Sequence, residues 1–138
     1  MLHWASAEEL NQYLLALFNH PYGDVIALKH HHATMKMRTD HRHIRPGNTV
    51  SGPTLMGLAD VAFYAALLGA IGPVPLAVTT NLNINFMRKA DAGSAIIADA
   101  KLFKLGKRLA VGEVLLRNED QQELIAHVTT TYAIPPNR

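Results

Sequence analysis

The 138-residue chain contains no cysteine. Disulfide staples, thiolate zinc sites and cysteine nucleophiles are thereby excluded. Charge of either sign is sparse as well. Asp, Glu, Lys and Arg make up 17% of the residues against 49% apolar ones, the balance of a globular rather than a disordered chain. The net charge of +2 is too slight to mark a nucleic-acid or anionic-membrane partner, and neither is expected. Gly-x-Ser-x-Gly is absent, so a nucleophile-elbow serine hydrolase has no support. The opening residues, Met1-Leu2-His3-Trp4-Ala5-Ser6, lack the basic start and apolar run of a secretory signal, and a cytoplasmic location is the expectation. No repeat, linker or low-complexity segment divides the chain, so residues 1–138 read as a single domain with one core.

What is present is a change of hydrophobic period along the chain. Ser6-Ala7-Glu8-Glu9 fits a capping box, and Leu10, Tyr13, Leu14, Leu17 and Phe18 recur at helical spacing to about Asn19, where His20-Pro21-Tyr22-Gly23 stops the helix. From Asp24 the period becomes two: Val25–His30 reads as a strand, and Ala33, Met35 and Met37 alternate with polar neighbours in a second. Thr39–Val50 reads as a polar loop. The last sixty or so residues read as Ala77–Met87, Ser94–Leu105, Leu109–Arg117 and Glu123–Ile134, with a tight turn at Gly106-Lys107-Arg108.

Between these strands lies Thr54–Ile71, eighteen residues with one charge, Asp60. Ser51 or Gly52 suits its N-cap, Pro53 its first turn, and Gly72-Pro73 its end. The run is about the shortest that spans a bilayer. A helix apolar on all sides is embedded either in lipid or in protein, and the strands that follow it supply the protein. The expected architecture is therefore α+β: a curved antiparallel sheet wrapped around one long buried helix, with an N-terminal helix beside it.

Asp60 is the strongest chemical signal, because an unpaired carboxylate is costly to bury and a general base is one use that justifies the cost. Gly57, one turn earlier, leaves out a side chain and offers room for a ligand. At the helix entrance the Gly52 N–H is free to polarise a carbonyl, whereas Pro53 has no N–H. Thr79, Asn81, Asn83 and Asn85 alternate on one strand face, opposite Thr80, Leu82, Ile84 and Phe86, and could orient a water. Arg88 and Lys89, and separately Lys101, Lys104, Lys107 and Arg108, are candidates for phosphate contact. Eight histidines include His30-His31-His32 and the pair His41/His43, but no ligand set accompanies them in sequence, so no metal site is expected.

Arg45-Pro46-Gly47-Asn48-Thr49-Val50-Ser51-Gly52-Pro53, continuing through Leu58-Ala59-Asp60 to Ala65, resembles the signature of the hotdog-fold acyl-CoA thioesterases, most closely the phenylacetyl-CoA thioesterase-like branch. That signature runs Asn-Pro-x-Gly-x-Val-His-Gly-Gly, with an acidic residue nine positions after the His. Val78–Arg88 is similar to the family's central strand, and the resemblance extends from about Val25 onward. It implies acyl-CoA hydrolysis to free acid and CoA, with Asp60 as general base or nucleophile, Gly52 N–H polarising the thioester carbonyl, and Thr79 holding the attacking water. It implies no cofactor, since CoA is part of the substrate, and a homodimer, with a dimer of dimers also open, whose sites lie where two sheets join. Arg45, Asn48, Ser51 and Tyr64 are the candidates for contact with the substrate, and Arg88, Lys104, Lys107 and Arg108 for its phosphates.

Three positions depart from the signature: Arg45 stands for an Asn, Ser51 for the His, and Pro53 for the second Gly. Two other readings follow. A non-catalytic acyl-CoA binding protein fits the departures at Arg45 and Ser51. A hotdog enoyl-CoA hydratase or dehydratase would pair a His with a carboxylate, and the resemblance does not place His43 at such a position.

Overall fold

The computed structural model describes residues 3–18 and 22–136. Helix α1 spans Ala7–Leu17. Ser6 caps it by accepting from Glu9 N at 3.2 Å, and the Glu9 carboxylate accepts in return from Ala5 N, one residue before the cap, at 3.1 Å, a capping box shifted by one residue. The helix ends two residues before the expected Asn19, and the expected stop at His20-Pro21 lies outside the described residues. Strands β1 (Asp24–Lys29) and β2 (His32–Met37) form a hairpin. Asn11 fastens α1 to it by donating to Asp24 Oδ1 (3.0 Å) and accepting from Val25 N (2.8 Å).

The expected polar loop carries a small hairpin of its own, β3 (Ile44–Arg45) with β4 (Thr49–Val50). Gly47 (φ 91°) and Asn48 (φ 56°) supply the left-handed turn. Two-residue strands are too short to show a period, which is why the alternation did not reveal them.

Helix α2 (Gly52–Ile71) then runs through the core. Ser51 is its N-cap, accepting from Thr54 N at 3.3 Å, and Gly72 N–H closes the far end on Leu68 O at 2.8 Å. Leu58, Ala59, Ala62, Phe63 and Ala65 through Leu68 are buried on every side of it, so the sheet and α1 account for its apolar surface and no membrane is required. Trp4 Nε1 donates to Leu68 O at 2.8 Å and ties the chain's start to the end of α2.

Strands β5 (Val78–Phe86), β6 (Ile96–Leu105), β7 (Leu109–Asn118) and β8 (Ala126–Ala133) complete one six-stranded antiparallel sheet in the order β1-β2-β6-β7-β8-β5. The sheet curves around α2 closely enough that Phe63 rests on Gly112. A Cβ at Gly112 would meet the Lys101 carbonyl on the neighbouring strand and the Phe63 ring at 2.6 Å. The α+β hotdog architecture expected from the sequence is the one observed. β5 is an edge strand, paired with β8 on one side, and its Val78 and Phe86 are about half exposed.

Two expectations need correction. In the β5–β8 register Thr79 faces Tyr132 and Asn81 faces Thr131, so Thr80 is a bulged extra residue. The bulge moves Thr79 to the helix side, in line with Leu82 and Ile84, and away from the face of Asn81, Asn83 and Asn85. Strict alternation had placed it with those asparagines. The space left by Gly57 is also not free for a ligand: the Tyr22 ring fills it, with its hydroxyl 2.7 Å from where a Cβ would stand.

Candidate active site

Asp60 sits midway along α2, half-buried, at the mouth of a cleft of about 450 Å³. Two hydroxyls converge on its Oδ1. Thr79 Oγ1 donates from β5 at 2.7 Å and Tyr132 Oη from β8 at 2.8 Å, the latter also 3.0 Å from the Asp60 backbone carbonyl. The carboxylate that looked unpaired in sequence is therefore satisfied by hydroxyls and remains open to the cleft. The bulge at Thr80 puts Thr79 within reach, and the inward alternation of β8 does the same for Tyr132.

The rest of the cleft is apolar and aromatic. Phe18 from the end of α1 packs edge-on to Tyr64 at 6.1 Å between ring centroids, and Tyr64 stacks on Tyr132 at 5.9 Å. Tyr64 Oη donates to Pro75 O at 3.0 Å. Burial pushes the Tyr64 phenol up to about 12, with Tyr13 adding to the effect. Burial pushes the Tyr132 phenol upward too, reinforced by the negative charge of Asp60, so both hydroxyls remain protonated donors at neutral pH.

Gly52 lies elsewhere. Its position, eight residues before Asp60 on the same helix, is about 12 Å away along the axis. It lines a second cleft, of about 560 Å³, with Arg45, Val50, Phe86, Arg88 and Lys89. The Phe86 ring would stand 3.3 Å from a Cβ at Gly52, so a side chain there would narrow the approach to the helix N-terminus. Arg88 is ion-paired with Glu123, whereas Arg45 and Lys89 have no carboxylate partner among the described residues.

One chain thus brings Asp60, Thr79 and Tyr64 together in the first cleft and Gly52, Arg45 and Arg88 together in the second. The Ser51 hydroxyl is engaged in the helix cap, 2.8 Å from Thr54 Oγ1. Asn48 forms the β3–β4 turn and lines neither cleft. Lys104, Lys107 and Arg108 lie at the β6–β7 hairpin and line neither cleft of their own chain. Tyr132 escaped the sequence reading. Its signal was the inward parity it shares with Ala126, Val128 and Thr130 on β8. Of the histidines, His30 and His31 stack at 3.8 Å, His32 lies 3.8 Å from Asp99, and His43 Nδ1 accepts from Asp40 N, all away from Asp60. Among the described residues no three His, Asp or Glu side chains gather as a metal-ligand set.

A family model described as the thioesterase superfamily matches residues 47–125, the stretch from the β3–β4 turn to the approach to β8. The chain belongs to the thioesterase superfamily, a family of hydrolases. It is similar to the crystal structure of a "putative thioesterase" from a Silicibacter species, at 42% identity and a TM-score of 0.90, covering 99% of this chain and 95% of that one. The phenylacetic acid degradation protein PaaI of Thermus thermophilus shares 27% identity at a TM-score of 0.72, over 90% and 99% of the two chains. Acyl-coenzyme A thioesterase 13 of Mus musculus is 31% identical over 91 residues, 66% of this chain and 64% of that one.

Proposed function

We propose that the chain hydrolyses an acyl-CoA thioester to the free acid and CoA, in a site completed by a second copy of itself. The observation that carries this reading is Asp60, the lone charge of a buried helix, held by two hydroxyl donors at the mouth of an apolar, aromatic-walled cleft. Such a cleft suits an acyl group, with the carboxylate poised at its mouth where a thioester carbon would lie.

The geometry of β5 supports the two-copy site. Thr79, near the first end of β5, touches Asp60, and Phe86, at the last end, lies over Gly52. If two β5 edges pair antiparallel about a two-fold axis, the start of one strand lies beside the end of the other. The Asp60 cleft of one copy then abuts the Gly52 cleft of its partner, joining base and carbonyl-polarising N–H. The free edge of β5 and its exposed Val78 and Phe86 are the surface such pairing would cover.

In this site Asp60 takes a proton from water, and the water oxygen attacks the thioester carbon. The Gly52 N–H at the N-terminus of α2 bonds to the developing oxyanion. Collapse breaks the carbon–sulfur bond, and the departing CoA thiolate recovers the proton from Asp60. With Asp60 as nucleophile instead, its oxygen attacks the thioester carbon and expels the CoA thiolate to leave an acyl-aspartyl anhydride. Water then cleaves the anhydride to the free acid and the Asp60 carboxylate, and the proton released goes to the thiolate. Arg45, Arg88 and Lys89 around the Gly52 cleft are placed to meet CoA phosphates. Lys104, Lys107 and Arg108 follow a second route: Leu109 pairs with Ala133 and Ala133 with Val78, so this basic turn lies at the Asp60 end of the sheet.

Thiol release from a panel of short, medium, long and aromatic acyl-CoAs, with Asp60→Asn alongside, tests the reading. Turnover that collapses in the Asn variant supports it. A folded protein that binds acyl-CoA without turnover would sink it in favour of a binding role.

A further inference from the structure

Tyr132 has no part in the chemistry just described, yet its hydroxyl touches both ends of Asp60. We propose that Tyr132 is a positioning residue: with Thr79 it fixes Asp60 Oδ1, so that Oδ2 is the oxygen presented to the reacting atoms. This rests on the reading of Asp60 as the working carboxylate.

Three features carry the inference. Both protein donors fall on one oxygen, Thr79 at 2.7 Å and Tyr132 at 2.8 Å, and among the described residues none reaches Oδ2. A carboxylate held in this way cannot exchange its two oxygens by rotating, so the free one keeps a single direction. The Tyr132 hydroxyl also lies 3.0 Å from the Asp60 carbonyl oxygen, which references the side chain to its own helix backbone. Finally, Tyr132 is itself rigid. It is buried, with its ring 5.4 Å from Phe63 and 5.9 Å from Tyr64, and its backbone is paired to β5 at Thr79 and to β7 at Ala110. A donor locked by packing on two sides orients its acceptor better than an exposed one. Among the residues lining the cleft the titratable ones are Asp60, Tyr64 and Tyr132. Asp60 and Tyr64 lie on α2 and Tyr132 on β8, so no other ionising lining group competes for the effect.

A packing role alone would need the ring and not the hydroxyl. Tyr132→Phe keeps the ring. It is expected to lower kcat about tenfold or more while KM moves less than about twofold, since orientation rather than binding is lost. The acid limb of its pH–rate profile should move to higher pH, because a donor to the ionised carboxylate has gone. Tyr132→3-fluorotyrosine, a stronger donor of nearly the same shape, should move the limb to lower pH and guards against a Phe variant that fails to fold.

Unchanged kcat and an unmoved limb in both variants, with Asp60→Asn inactive, would overturn the positioning role and leave the reading of Asp60 standing. Full turnover by Asp60→Asn would overturn both.

Discussion

Thr79 Oγ1 donates to Asp60 Oδ1 at 2.7 Å across the gap between sheet edge and helix, and it does so because Thr80 is bulged out of the β5–β8 ladder. Without the extra residue the Thr79 side chain would point to the opposite face of the sheet. Thr79→Val is therefore expected to lower turnover about tenfold, the cost of one well-placed donor, while Thr79→Ser retains most of it. Steady-state thiol release on the two variants checks this, and equal activity in both would contradict it.

The Gly52 cleft makes a separable prediction. Arg45 and Lys89 line it without a carboxylate partner among the described residues, so they are free to meet an anion. Arg45→Ala and Lys89→Ala should each raise KM for acyl-CoA several-fold, with the wild-type advantage shrinking as salt is added. Thioesters of pantetheine, which lack the nucleotide and its phosphates, should show no such difference. Equal losses on both substrate types would assign these residues to something other than phosphate.

Gly112 is a test of the wrap between sheet and helix. An added methyl there meets backbone on one side and the buried Phe63 ring on the other, and backbone cannot swing away. Gly112→Ala should destabilise the fold by about 2–3 kcal/mol, as overpacking of a tight core does. Gly57→Ala meets the end of the Tyr22 side chain, which can rotate, and should cost less. Urea denaturation midpoints of the two variants, compared at equal slope, decide the order.

Alkaline pH offers a check on the two aromatic hydroxyls. Tyr64 is raised to about 12 from an ordinary value of 10.0, and Tyr132 is raised as well. Below pH 10 both phenols are protonated folded and unfolded, so they add no pH dependence. Above it the unfolded chain ionises while the folded one holds its protons, and stability falls as pH rises through 10 to 12. Urea midpoints measured across that window should decline, and Tyr64→Phe should decline less steeply. Parallel curves would contradict the buried protonated state of Tyr64.

Much of this was legible in the sequence. Ser6, Ser51, Pro53 and Gly72 mark helix ends by local capping chemistry, which needs no knowledge of tertiary contacts, and the apolar run around Asp60 marks the core helix through its composition. The site was legible as residue types and less so as geometry. The Thr80 bulge breaks the period-two rule for one residue, and a single inserted residue leaves no trace in an alternation pattern. Tyr132 looked like any inward strand residue, because its partner is seventy-two positions away in sequence. The space at Gly57 was misread for the same reason: the ring that fills it comes from Tyr22, on a different segment of the chain.

The central claim is a site shared between two copies, with Asp60 from one and the Gly52 N–H from the other. Gly52→Pro removes that N–H, and Ser51 stands at φ −67° and ψ 149°, backbone that accepts a following proline. Asp60→Asn and Gly52→Pro chains, each inactive alone, should be co-expressed and assayed for thiol release. Random two-fold assembly gives half mixed dimers, each with one intact site of two, so about a quarter of wild-type turnover should return. A mixture that stays as inactive as its two parents, while mixed dimers form, would contradict the shared site.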